Sequence, residues 1–347
     1  MDRDANAEVP ARPRTLFTAR WKSGEVSPDR LIRLTQVRKK CLLLTIYIAC
    51  SVALFWKPIR DLFHLSLSSD VYSHIFVIPL ISGTLLFLRR HLVFQRAANN
   101  RKAAIIFALL AAILFFLSRG LSSSISSEFA LELAILGFVV LIWSGFAWIF
   151  GTHAFSEAIF PLFFLLLMIP PPAFMVDRLT VCLQWGSADV TNWLFHATGT
   201  PAVRDGLFFS LPSVIIEIAK ECSGIRSTIA LLITCLVAGY LLLGTSWSRA
   251  LLLLAALPVL VLKNGIRIGI LTILAVRVDP SFLYGRLHHD GGIAFFALGL
   301  LALMPVLWGL QQIERGAPFG NTSARSGSQP LAVIQSATCQ TTGPKSR

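Results

Sequence analysis

This sequence predicts an all-α polytopic membrane protein, a bundle of about eight transmembrane helices carrying an outer-face amphipathic helix and a short β-hairpin. Three observations predict it. Only 14% of the 347 residues are Asp, Glu, Lys or Arg, while 55% are hydrophobic. A soluble domain carries about 25% charged residues, and the mean hydropathy of +0.69 points the same way. Apolar runs of bilayer-crossing length recur along the chain. Finally, the charges fall unevenly between those runs, although the net charge of +13 is large.

The runs lie near 41–56, 72–88, 103–118, 129–150, 156–172, 224–243, 250–276 and 291–310. Residues 1–40 before them are basic and polar, with no small-residue cleavage site after Cys41, so no cleavable signal peptide is expected. Three units follow: a basic N-terminal tail over 1–40, a transmembrane domain over 41–310, and a Ser-, Thr-, Gly- and Gln-rich tail over 311–347 expected to be disordered.

Sorting the charges orients the bundle. With the N-terminus cytoplasmic, the inside segments 1–40, 89–102, 151–157, 244–249 and 311–347 hold 20 Lys/Arg and 7 Asp/Glu. The outside segments 57–71, 119–128, 173–222 and 277–290 hold 8 Lys/Arg and 10 Asp/Glu. Short basic segments remain cytoplasmic, and Arg89, Arg90, Arg96, Arg101 and Lys102 form the clearest of them. Both termini are then expected inside, in the cytoplasmic (inner) membrane. The basic excess is an orientation signal, and no nucleic-acid partner is needed to explain it.

Residues 173–222 form the longest outer segment. Pro170, Pro171 and Pro172 end the fifth run. Met175, Leu179, Leu183, Gly186, Val190, Trp193 and Ala197 then recur at helical spacing, with Asp177, Gln184, Thr191 and Asn192 on other faces. The pattern is that of an amphipathic helix lying on the membrane surface or over the bundle. Asp205-Gly206, between Ala202–Arg204 and Leu207–Leu211, is a hairpin turn signal. The strand-like stretch Val214–Ile218 leads from there to Cys222.

Six cysteines show no CxxC and no metal-like pairing with histidine, so neither a metal nor a cofactor is expected. Cys182 and Cys222 are the two on the outer side; a disulfide between them is conceivable, but the spacing does not support it. Cys222 opens the sixth run, Arg267 lies in the seventh, and His288 and His289 precede the eighth. A helix entered near Ala250 from inside carries Arg267 about 26 Å up at ~1.5 Å per residue, near the outer edge of a ~30 Å hydrocarbon core. A thiol, a guanidinium and an imidazole thus share one depth.

Those residue types suit acyl transfer. A helix N-terminus favours the nucleophilic thiolate. Ser223-Gly224 permits close backbone approach and offers N–H groups to an oxyanion. Arginine keeps its charge, and histidine exchanges protons near neutrality. Taken singly, each residue also has an ordinary reading: a packed cysteine, a snorkelling arginine, solvated histidines. Two other functions fit the same residues. One is a transporter or channel, with Arg267 and Lys263 as an anion site and Pro258 marking a broken helix. The other is a non-catalytic component of a polysaccharide-export complex.

The segment Glu221-Cys222-Ser223-Gly224-Ile225-Arg226-Ser227 resembles the nucleophile motif of the exosortase/archaeosortase transmembrane cysteine transpeptidases. Asn264-Gly265-Ile266-Arg267-Ile268 is similar to that family's Asn-x-x-Arg-Ile, and His288, Gly292 and Phe296 match His-x-x-x-Gly-x-x-x-Phe, a spacing that favours His288 over His289. Tyr72-Ser73-His74, Phe160-Pro161 and Met168-Ile169-Pro170 support the match. Ile293 stands where many members have tryptophan, and no second domain follows the last run, which leaves the subfamily open. The resemblance implies an enzyme that cleaves C-terminal sorting signals of exported proteins, each a short Pro-Glu-Pro-like motif, a transmembrane helix and a basic tail. It gives Cys222 the acyl-thioester, Arg267 the role of proton donor, and His288 that of transition-state stabiliser or base. The implied partners are those exported proteins, the lipid bilayer, and a lipid- or glycan-linked amine where the acyl group is transferred rather than hydrolysed.

Overall fold

The computed structural model describes residues 28–93, 101–121, 127–212, 214–279, 281 and 286–316. Residues 1–27 and 317–347 of the two tails and the stretch around Arg96 lie outside these. Among the described residues the chain is helical apart from one small sheet.

Helix α1 spans Pro28–Leu54, α2 Trp56–Ser68, α3 Val77–Leu88, α4 Arg90–Val93, α5 Arg101–Leu121 and α6 Ser127–Phe150. They are followed by α7 (Thr152–Glu157), α8 (Ile159–Phe164), α9 (Ala173–Ala197), α10 (Ile225–Leu242), α11 (Ser246–Arg277) and α12 (Arg286–Gly316). Among the described residues six stretches are long and apolar enough to cross a membrane, and up to eight if two bent pairs each count as one span. The eight apolar runs are therefore all represented, but two take a form that the sequence did not suggest.

The first bent pair joins α1 to α2 at 80°. Residues 57–68, expected as part of an outer loop, are helical, and the helix before them begins at Pro28, inside the expected tail. The second pair is Ile159–Met168 and α9, bent by 90°. Ile169 is extended (φ −73, ψ 121), as the residue before a proline prefers. Pro170–Pro172 thus turn the chain between two helical stretches. At the other terminus α12 continues to Gly316, six residues into the stretch expected as a disordered tail. The Pro258 break expected of a transporter is absent: α11 runs unbroken from Ser246 to Arg277 with Pro258 inside it.

The expected hairpin is present. Strands β1 (Val203–Asp205) and β2 (Phe208–Ser210) are antiparallel around Gly206, whose φ of +61 suits a hairpin turn. A third strand, β3 (Ile215–Glu217), pairs with β2 to complete the order β1-β2-β3.

Buried apolar side chains form three clusters. The largest surrounds α6 and takes residues from α1, α2, α3 and α8. The second lies between α10, α11 and α12, around Leu231, Leu252, Leu260 and Leu303. The third joins the sheet to α9 and to the last third of α11: Phe195, Phe209 and Ile218 are buried, with Ile268, Ile273 and Val276 packed on them. This third cluster supports the chain as it enters Cys222.

Helix α9 has the two faces that its spacing predicts. Its buried face is Thr180, Leu183, Gln184, Ser187, Ala188, Thr191 and Phe195, whereas Met175, Leu179 and Trp193 are exposed. In a lipid-facing protein the polar side chains need partners inside the bundle and the apolar ones can face hydrocarbon. The hydroxyls and amide of this face find such partners on α11 and on the strand leading to Cys222.

Candidate active site

The Cys222 turn is shaped by backbone geometry. Lys220–Ser223 form one 3-10 turn, and Gly224 then takes the left-handed conformation (φ +69) as the N-cap of α10. Cys222 thus precedes the start of an 18-residue helix, where backbone N–H groups concentrate positive potential. The side chains of Glu221 and Cys222 lie outside the described residues, while Ser223 and Gly224 are buried.

Three tethers from α9 hold the turn. Gln184 Nε2 donates to Ile218 O at 2.6 Å, anchoring the end of β3. Lys220 Nζ reaches Asp177 Oδ1 at 3.3 Å on the exposed side. Asn264 of α11 donates from Nδ2 to Ser187 Oγ at 2.9 Å. Its Oδ1 lies against Gly224, where an added Cβ would run into it. Asn264 therefore links α9 with the Cys222 turn, and Thr191 Oγ1 adds a bond to Gly265 O at 3.1 Å. Arg204 fixes the sheet to α9 through Asp189 Oδ1 at 2.7 Å and closes its own hairpin on Gly206 O at 2.9 Å.

Arg267 lies one helical turn beyond Asn264 on α11 and is half-buried. The structure thus brings Gly224, of the Cys222 motif, against the first residue of the Asn-x-x-Arg-Ile motif. His288 and His289 lie on the first turn of α12, which packs on α10 and α11. The side chains of Arg286–Gly291 are outside the described residues. Tyr72, Ser73 and His74 form a 3-10 stretch, Asp70–Phe76, packed against α10, and His74 Nδ1 sits 3.0 Å from Val71 O. Arg226 is exposed on the first turn of α10. Cys182 is a free, exposed cysteine on α9, so the conceivable bridge to Cys222 is not formed.

Two neighbours of the turn are not among the site residues that the sequence predicts. Lys263 is buried and donates to Ser227 Oγ, and Ser227 Oγ donates to Gly224 O at 2.9 Å. The signal was present: Lys263 lies four residues before Arg267, and so on the same face of one helix. Among the described residues no group of three His, Cys, Asp or Glu side chains is arranged to hold a metal ion.

Fold and site together define a polytopic helical membrane protein with a cysteine at the N-terminus of one span and cationic side chains on the next. The profile of the transmembrane exosortase family matches residues 66–305, well over half of the chain, and the protein belongs to that family. Membership carries a general role in membrane-bound sorting by transpeptidation, a cysteine protease/transpeptidase class of chemistry. Neither a curated protein nor a solved structure matches the chain.

Proposed function

We propose that the protein is a membrane cysteine endopeptidase/transpeptidase that removes C-terminal sorting signals from exported proteins. The observation that carries this reading is the packing of Asn264 against Gly224, which joins two sequence motifs into one site beside the start of α10. The substrate's transmembrane helix is held laterally by the bundle, with its scissile peptide bond at Cys222. The charge asymmetry of the loops supports a site on the outer face of the cytoplasmic membrane, with both termini cytoplasmic.

The chemistry follows from the residue types. The Cys222 sulfur attacks the scissile carbonyl carbon, and His288 takes the thiol proton. The guanidinium of Arg267 donates hydrogen bonds to the oxyanion while keeping its charge. Collapse of the adduct breaks the C–N bond, the leaving amine receives the proton from His288, and an acyl-thioester remains on Cys222. Water then yields hydrolysis, and an amine on a lipid or glycan yields transpeptidation. Neither acceptor requires a cofactor.

The test is Cys222→Ala with a tagged exported protein bearing a Pro-Glu-Pro-like motif, helix and basic tail. Processing is expected to stop while the variant accumulates normally in the membrane. Undiminished processing by Cys222→Ala would remove the nucleophile from this reading. A reporter fused after residue 205 should register as extracytoplasmic.

A further inference from the structure

Lys263 is the one formally charged side chain among the described residues that is almost wholly buried, at 4% exposure. Its ammonium donates to Ser227 Oγ, and no carboxylate lies within ion-pairing distance of it among the described residues. A buried charge is costly unless it is paired or hydrogen-bonded. The Lys263 stem runs inward beneath α12, where a Cβ added to Gly299 would lie 3.3 Å from Lys263 Cδ.

The surroundings add more positive charge. Arg267 lies one turn along the same face of α11, and the N-terminus of α10 directs its partial positive charge to the same place. Nearby hydrogen-bonding capacity is also unused: Ser223 Oγ and Thr228 Oγ1 are buried without a hydrogen-bond partner among the described residues. A cation, a helix N-terminus and spare hydroxyls gathered around one turn suit an anion. In the proposed reaction the group on this turn that becomes an anion is the thiol of Cys222. It lies two residues before Gly224, the residue whose carbonyl Ser227 grips at 2.9 Å.

We propose that Lys263 is a positioning residue for the Cys222 nucleophile: through Ser227 it fixes the Gly224 carbonyl, and its charge favours the thiolate over the thiol. The proposal rests on Cys222 being the nucleophile. Charged and titratable groups on the neighbouring elements are Arg226 on α10, Arg267 on α11, Lys220 paired with Asp177 on α9, Glu221 in the turn itself, Arg286, His288, His289 and Asp290 on the first turns of α12, and His74 in the 3-10 stretch packed on α10. Lys263 differs from the first four in being buried and held directly to the first turn of α10.

The experiment measures the rate of Cys222 alkylation by iodoacetamide against pH, in native membranes. The other five cysteines (Cys41, Cys50, Cys182, Cys235 and Cys339) are first replaced by alanine. Lys263→Met keeps the length of the side chain and removes its charge. Its alkylation midpoint should rise by about one pH unit, so that the rate at neutral pH falls about tenfold, and signal processing should slow by at least as much. Lys263→Arg should restore the midpoint and only part of the processing rate. Ser227→Ala, which removes the link and keeps the charge, should slow processing with a smaller displacement of the midpoint.

An unchanged alkylation profile in Lys263→Met overturns the proposal. So does an effect of Lys263→Met that disappears in a Glu221→Gln background, which would assign the ammonium to that carboxylate. If Lys263→Met does not accumulate, Lys263→Arg and Ser227→Ala decide: wild-type processing in Ser227→Ala overturns the proposal, and slowed processing with a near-normal midpoint supports it. Alkylation requires no sorting-signal substrate, so an error about the substrate leaves this test intact. Processing that survives Cys222→Ala defeats the functional reading whatever Lys263 does.

Discussion

At Gly224 the backbone takes φ +69, and a Cβ built there would run into Asn264 Oδ1. Two separate costs therefore meet in Gly224→Ala. The left-handed conformation costs an L-residue about 1–2 kcal/mol, and moving Asn264 strains its bond to Ser187, worth about 1 kcal/mol. Gly199 supplies the control, because it has φ +62 with nothing within 4 Å of its Cβ position. Gly199→Ala should lower stability by about 1 kcal/mol and leave processing at the wild-type rate. Gly224→Ala should lower it by about 2–3 kcal/mol and reduce processing at temperatures where the protein is still folded. Thermal unfolding in detergent, set beside the processing assay, reads both. Equal processing by the two variants would show that the Gly224–Asn264 contact does not position the Cys222 turn.

Between elements, α9 and α11 approach through glycines. A Cβ at Gly265 would lie 2.6 Å from Val190 Cγ1 and 2.9 Å from Ser187 O. One at Gly186 would lie 2.8 Å from Val261 Cγ1. Small residues are how helices associate closely where lipid removes the hydrophobic drive. Gly265→Ala should therefore push α9 away, at about 1–3 kcal/mol, and loosen Ser187 from Asn264. Val190→Gly in the same chain, which removes the Val190 Cβ at 2.5 Å as well as Cγ1, should recover part of that loss, since the Ser187 carbonyl still obstructs. The double-mutant cycle should be non-additive by at least about 0.5 kcal/mol, and an additive result would mean that the two helices are not held by this contact. The glycines were visible in the sequence, whereas the face they serve was not. Periodicity showed that α9 has two faces, but not which of them the bundle would cover. Gln184, Ser187 and Thr191 point inward because their partners, Ile218 O, Asn264 and Gly265 O, come from distant segments that local pattern does not reveal. The Asp205-Gly206 hairpin was legible because its signal is confined to the turn. The bend after Met168 was half legible: three prolines announced that a helix ends, and not that the next one leaves at 90°.

On the scale of the whole molecule, the two ends of the α10–α12 unit are held by different means. The Cys222 end depends on α9, the sheet and the last third of α11. At the opposite end Glu314, in the last turns of α12, grips the connection between α10 and α11. Its Oε2 accepts from Gly244 N at 2.9 Å, and its Oε1 from Thr245 N at 2.9 Å and Thr245 Oγ1 at 2.7 Å. Beside it Tyr240 stacks on Phe160 at 3.9 Å, with the Arg89 guanidinium 4.3 Å from its ring, which joins α8 and the end of α3 to α10. Glu314→Ala deprives two backbone N–H groups and a hydroxyl of their acceptor. Because the connection is exposed, water replaces part of what is lost, and the expected cost is about 1–3 kcal/mol. The His288 end of α12 lies about 40 Å away at ~1.5 Å per residue. Pro305, inside the helix between them, removes a hydrogen bond that would otherwise stiffen the rod. The clamp should therefore govern stability without governing chemistry. Glu314→Ala should unfold at lower temperature in detergent while the alkylation rate of Cys222 and the processing rate at low temperature stay at wild-type values. Slower processing with an unchanged unfolding temperature would reverse that conclusion, because α12 would then have to carry its register from Glu314 across Pro305 to His288.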